Sequence, residues 1–180
     1  MVSKITTIIR ILKLSKYLDV KYLKRALILT LCYNILKVVC IVAVLVPLHN
    51  SYIANELEVD LLETPLPENT EVIESLPATG KLVGSDSDMN FFGGMLIKSE
   101  LTEDELNENY SPMREDHNDY LIESQDTAEI SVIENGDYSF EHLENVADFD
   151  NYYLVYSWGS DESVLQSFNK FDFRTLKFNA

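Results

Sequence analysis

The sequence predicts an α+β protein: an N-terminal basic amphipathic helix and a single transmembrane helix, then a small antiparallel sheet with one packed helix. Three observations predict it. Ala26–Leu48 is a long apolar run set between a basic head and an acidic remainder. Thr102-Glu103-Asp104-Glu105 is a capping box at the start of a short helix. Around that helix lie short β-rich segments, the strongest being NYYLVYSW over Asn151–Trp158.

The head, Met1–Arg25, reads as a basic amphipathic helix on the cytoplasmic side. At 100° per residue, Ile5, Ile8, Ile9, Leu12 and Leu23 gather on one side, with Arg10, Lys13, Lys21 and Lys24 on the other. Such a helix lays its apolar face in the lipid interface and its cations against anionic headgroups. A disordered basic head that only sets orientation is the simpler alternative.

Ala26–Leu48 is 23 residues long. At about 1.5 Å per residue this spans a hydrocarbon core of about 30 Å with some tilt. Lys37 lies near its middle, at a cost of about 2.5–3.5 kcal/mol. Its side chain either snorkels to water or meets a second membrane helix. A cleavable signal peptide competes with this reading. However, Tyr52-Ile53-Ala54 puts a bulky Tyr where a small residue belongs, and neither cysteine has a lipid-attachment context. The run therefore reads as an uncleaved signal anchor.

Charge sets the direction. Up to Lys37 there are eight basic residues and one acid, Asp19, while the whole chain carries −16. The remainder is therefore about 23 negative. A basic flank inside and an acidic domain outside is the positive-inside arrangement. The expectation is a single-pass protein of a bacterial cell membrane, with a cytoplasmic N-terminus and an extracytoplasmic C-terminal domain.

His49–Asn69 reads as an acidic, Pro-containing stalk that holds the domain off the bilayer. Pro65 and Pro67 favour extended chain, and Glu56, Glu58, Asp60, Glu63 and Glu68 repel one another. Thr70–Ala180 is then the folded domain, long enough for its own core. Glu71–Glu74 reads as a first short strand and Phe91–Ser99 as a second, with Gly93 and Gly94 marking a bulge or a close backbone approach. The capped helix runs over Glu103–Tyr110 and Pro112 ends it. Tyr120–Glu123 and Glu129–Glu134 read as strands. Asn135-Gly136 predicts a type I′ turn that pairs Ile130–Glu134 with Asp137–Phe140. Asn151–Trp158 reads as a central strand, and Ser163–Phe168 as either a helical turn or a strand.

The strings PLPENTEVIES, ATGKLVG and FFGGMLIKSELTEDEL, followed by a stretch rich in Tyr and acids, resemble a family of small exported or membrane-anchored domains from Gram-positive-type bacteria. The resemblance covers roughly Leu66 to Phe173. It implies a compact exported domain. The family carries no assigned activity, so no catalytic residue is transferred to this chain.

No nucleophile elbow, phosphate loop, CxxC or HExxH pattern occurs. Asp86-Ser87-Asp88-Met89-Asn90 begins like a calcium loop but has Phe91 at the sixth place and Ile97 at the twelfth, where Gly and Glu are needed. His117 among Glu115, Asp116 and Asp119 reads as a solvated charged turn. Cys32 and Cys40 both lie inside the anchor, so the domain has neither disulfide nor thiol nucleophile. No cofactor, metal or catalytic residue is expected.

Along Asn151–Trp158 side chains alternate, so Tyr152, Tyr156 and Trp158 share a face. A helix of eight residues covers one face of a sheet. The other is covered by the stalk or by Phe168–Phe178, or is left open as a contact surface. Tyr152, Tyr156 and Trp158 are therefore the candidate binding residues, and the sheet core is the competing place for them. The function expected is a membrane-tethered extracytoplasmic binding or assembly module, with a carboxylate-based envelope hydrolase as the alternative. The partners expected are membrane lipid, a basic envelope protein or a second membrane helix near Lys37. Nucleic acid is excluded by repulsion.

Overall fold

The computed structural model describes residues 20–84, 89–113, 120–161, 163 and 166–172. The chain divides into two compact units, Met1–Val42 and Ala43–Ala180. Residues 1–19 of the predicted head lie outside the described residues.

Helix α1 is Val20–Glu63, with Pro47 inside it. In the first unit its apolar residues are exposed; Leu27, Leu29 and Leu36 each leave 60% or more of their surface uncovered. Among the described residues one helix is thus long and apolar enough to cross a membrane. Lys37 places its ammonium 4.4 Å above the Tyr33 ring, one turn back on the same helix.

The second unit corrects the stalk. Residues 51–63 are helical, not extended, and they form part of the folded domain. Val46, Asn50, Ala54, Leu57 and Leu61 are buried at steps of three and four, a stripe down one side of the helix. The acidic residues Glu56, Asp60 and Glu63 stay exposed on the other sides.

Four strands follow in the antiparallel order β1-β2-β4-β3. They are β1 (Thr70–Gly80), β2 (Asn90–Ser99), β3 (Leu121–Ser124) and β4 (Tyr152–Gly159). Strand β4 is interior, as its β-propensity predicts. Strand β1 is an edge, which is why Pro77 is tolerated in it. It runs far past the predicted Glu71–Glu74, with an extra residue, Ile73, bulged between Val72 and Glu74. Helix α2 is Glu103–Tyr110, with the capping box formed as read. The α+β layout of the sequence reading is therefore observed.

Each face of the sheet has its own core. On one, Met95, Ile97, Val155 and Ile122 meet Leu106 and Tyr110 of α2 together with Leu61 of α1. The end of α1 lies so close that a Cβ on Gly93 would stand 2.7 Å from the Leu57 carbonyl carbon. Gly93 is thus a site of close backbone approach, and the bulge is in β1 instead. On the other face, Phe92, Leu96, Tyr152, Leu154 and Tyr156 meet Ile130, Ile133, Phe140 and Leu143. The stalk residues do not supply that second cover, nor do 168 to 172, the described part of the C-terminal segment. The loop between β3 and β4 does.

The predicted hairpin is also corrected. Residues 129–140 return on themselves through Ile130 N–H to Tyr138 O (3.0 Å) and Phe140 N–H to Ala128 O (3.0 Å), with one bridge between Glu129 and Ser139. They form no strand pair. A type I′ turn needs positive φ at both central residues, and only Gly136 has it (φ 122°). Asn135 instead donates its N–H to Leu82 O (3.0 Å) and its Nδ2 to Gly84 O (2.9 Å). Residues Gln166–Phe171 form a 3-10 helix, which settles the ambiguous segment as a helical turn in its described part.

Candidate functional site

The candidate binding row is core. Tyr152 and Tyr156 are buried, and Trp158 packs half-buried at the rim of the same cluster. The Phe92 ring stands 5.8 Å from Tyr156 and 5.0 Å from Trp158. The Tyr156 hydroxyl donates to Glu123 Oε1 at 2.8 Å. Burial first, and then that carboxylate, push the Tyr156 phenol well above its ordinary value. Tyr152 lies under Lys98, whose ammonium is 5.0 Å from its ring centroid. Of the two places left open for this row, a contact face or the core, the structure shows the core, closed by the loop before β4.

A polar cluster lies elsewhere, at Asn50, Asp161, Asn169 and Asp172, all buried, with His49 and Ser163 beside them. Asn50 Nδ2 donates to Asp172 Oδ2 at 3.0 Å, and Asn169 Nδ2 to Asp161 Oδ2 at 2.6 Å. The Ser163 N–H donates to Asp161 Oδ1 at 2.8 Å. His49 Nε2 is 3.3 Å from Asp161 Oδ2 and 3.0 Å from Ser163 Oγ. Burial pushes the Asp161 carboxyl up. The hydrogen bonds from Ser163 and Asn169, with the His49 ring beside it, outweigh that and hold it below its ordinary value.

A Ser, a His and an Asp in contact invite a catalytic reading, and the geometry argues against it. A relay needs the base to meet the nucleophile through one ring nitrogen and its orienting carboxylate through the other. Here Ser163 and Asp161 both face Nε2. The cluster instead clamps the C-terminal segment onto α1. Nothing in the sequence marks it: the pairs that tie it to α1 are 112 to 122 positions apart, and no motif joins them.

One open hollow of about 500 Å³ lies at the end of the sheet where β1 begins, β2 ends and β4 begins. Asn69, Thr70, Glu71, Lys98, Ser99, Glu100 and Asn151 line it. Asn69 and Asn151 hold left-handed backbone (φ 58° and 68°), which Asn tolerates better than most residues. Their carbonyls accept from Glu100 N–H (3.4 Å) and Ser99 N–H (3.0 Å), so both turns are tied to β2. The Thr70 and Ser99 hydroxyls bond each other at 2.7 Å. The hollow offers amides, hydroxyls, a cation and two carboxylates to a polar ligand.

The remaining candidates resolve simply. Residues 85–88 of the calcium-like loop lie outside the described residues. Its last oxygen, Asn90 Oδ1, accepts from Leu82 N–H (3.0 Å) and Val83 N–H (3.3 Å), so backbone occupies it. His117 and its acidic neighbours also lie outside them. Among the described residues no group of three or more His, Cys, Asp or Glu is placed to hold a metal ion. No family model matches the chain, and comparison with curated proteins and with solved structures finds no match.

Proposed function

We propose that this chain is a membrane-tethered extracytoplasmic binding or assembly module. The observation that carries the reading is α1: an apolar helix exposed on every side in the first unit, whose continuation is built into the core of an acidic domain in the second. Exposure of Leu27, Leu29, Leu31, Leu36 and Val39 in water is costly, at about 25 cal/mol per Å² of apolar surface, and a bilayer removes that cost. The eight basic residues up to Lys37 keep the N-terminus cytoplasmic. In this reading the helix is an uncleaved signal anchor in a bacterial cell membrane, and the domain resembles other small exported ones.

Binding belongs to the polar hollow at Asn69, Lys98, Ser99 and Asn151 in place of the aromatic row, with a basic envelope protein as the partner the domain's charge favours. No catalytic residue, cofactor or metal is assigned. The test fuses paired reporters after Ala180. An export-dependent reporter is expected to be active and a cytosol-dependent one silent; the reverse overturns the topology. A photocrosslinker at Lys98 is then expected to capture a partner that the same label at Asp126, an exposed loop residue, does not. The hydrolase alternative keeps one observation, that Glu71 and Glu100 line the same hollow. Turnover of a glycan by the purified chain, abolished by Glu71→Gln or Glu100→Gln, would favour it.

A further inference from the structure

The 3-10 helix Gln166–Phe171 carries two exposed aromatic rings, Phe168 (44% exposed) and Phe171 (56% exposed), with centroids 6.3 Å apart. The same turn is fixed to α1 by buried polar bonds. Asn169 holds Asp161, which faces His49, and Asp172 accepts from Asn50. Those anchoring positions, 49 and 50, directly follow Leu48, where the apolar run ends. Near the end of that run Val44, Leu45 and Leu48 are more than half exposed, while Val46 between them is buried in the domain. The two rings are therefore held at the level where the apolar part of the helix gives way to the folded domain.

Composition changes at the same place. The chain after Lys37 is strongly acidic, yet residues 165–180 hold three basic residues, Lys170, Arg174 and Lys177, against one acid. That acid is Asp172, buried against Asn50. The segment also carries Phe168, Phe171, Phe173, Leu176 and Phe178. Aromatic and basic residues together are the composition of segments that lie in the lipid interface, with rings in the acyl boundary and cations at anionic headgroups.

We infer that Phe168 and Phe171 form a second, interfacial contact with the lipid surface, seating the domain against the outer leaflet. The inference rests on the membrane reading of α1. Its consequence is that the domain rides on the bilayer and not above it, since the segment that would have been a spacer is helix packed in the core.

The test uses the full chain in phosphatidylcholine–phosphatidylglycerol vesicles whose acyl chains carry bromine at a shallow or at a deep carbon. Trp158 is the only tryptophan and supplies a constant background. Phe168→Trp, Phe171→Trp and Val39→Trp are compared with wild type. The emission added at 168 and 171 is expected to fall about twofold with shallow bromine and less with deep bromine, as for rings about 5–10 Å into the interface. The emission added at 39 should respond most to deep bromine. No quenching at 168 or 171 with strong quenching at 39 overturns the interfacial contact and leaves the anchor standing. No quenching at 39 overturns the anchor reading and the inference with it.

Discussion

Leu61→Ala separates a domain that incorporates the end of α1 from one hung on a stalk. Leu61 is fully buried among Met95, Ile97, Leu106 and Val155, while its neighbour Leu62 is 44% exposed. Truncation removes three carbons, about 2.4 kcal/mol of transfer free energy at about 0.8 kcal/mol per group. A cavity term adds to this because the wall opposite is the interior strand β2, which relaxes little. The expected loss is about 3–4 kcal/mol for Leu61→Ala and within about 0.5 kcal/mol for Leu62→Ala. With a urea dependence of about 1.5–2 kcal/mol per molar, the midpoint falls by about 2 M for the first and barely moves for the second. The assay is urea unfolding of the full chain in neutral detergent micelles. Trp158 emission is a suitable probe because its ring packs 5.0 Å from Phe92 in the core of the other face. Equal midpoints for both variants, close to wild type, would refute the packing of α1 on the sheet.

Gly93→Ala is expected to cost about 1–3 kcal/mol in the same assay, because its Cβ meets the backbone of Leu57 and Glu58 at 2.7 and 2.8 Å. Adding Leu57→Ala should not restore the midpoint, since backbone atoms cannot be trimmed. Thr102→Ala removes a cap in which the Thr102 hydroxyl accepts from the Glu105 N–H at 3.3 Å, and should cost about 1 kcal/mol, with Thr102→Ser nearly neutral. Asp161 has a folded pKa below its unfolded one, so its contribution is full above the unfolded value and is lost as the pH falls through the folded value. The difference in midpoint between wild type and Asp161→Asn should therefore be largest near neutral pH and shrink toward pH 3; a constant difference would contradict the assignment.

Local signals were legible wherever local chemistry decides. The Thr102–Glu105 box and Pro112 fix α2 to its observed ends. The aromatic and β-branched content of residues 151–158 places β4 inside the sheet. What fails is decided at long range. Asn135-Gly136 favours a tight hairpin as a dipeptide, but Leu82 and Gly84, about 50 positions earlier, draw on Asn135 and leave only Gly136 at positive φ. Alternation correctly puts Tyr152, Tyr156 and Trp158 on one face. It cannot say that a loop carrying Ile130, Ile133, Phe140 and Leu143 folds over them. The polar clamp at His49 and Asn50 is illegible for the same reason, since each partner looks ordinary in its own neighbourhood.

The end of α1 is a different case, because its signal is present and composition conceals it. Counting acids in residues 49–69 describes a repulsive, extended spacer. Placing the same residues at 100° intervals separates them. Ala54, Leu57 and Leu61 fall in line with Val46 and Asn50, and Glu56, Asp60 and Glu63 fall outside that line. Acids on the solvent side of an amphipathic helix do not oppose packing, and one is recruited by it: Glu58 accepts from the Ser75 hydroxyl of β1 at 2.5 Å. The distinction between spacer and helix therefore rests on period, not on charge. Pro65 and Pro67 mark where that helix has already ended, two and four residues after Glu63, as expected of prolines that follow a helix instead of preventing one. A sequence that carries the anchor's apolar run straight into such a stripe has no room for a stalk: the second unit begins at Ala43, and Val46, still within the run, is already buried.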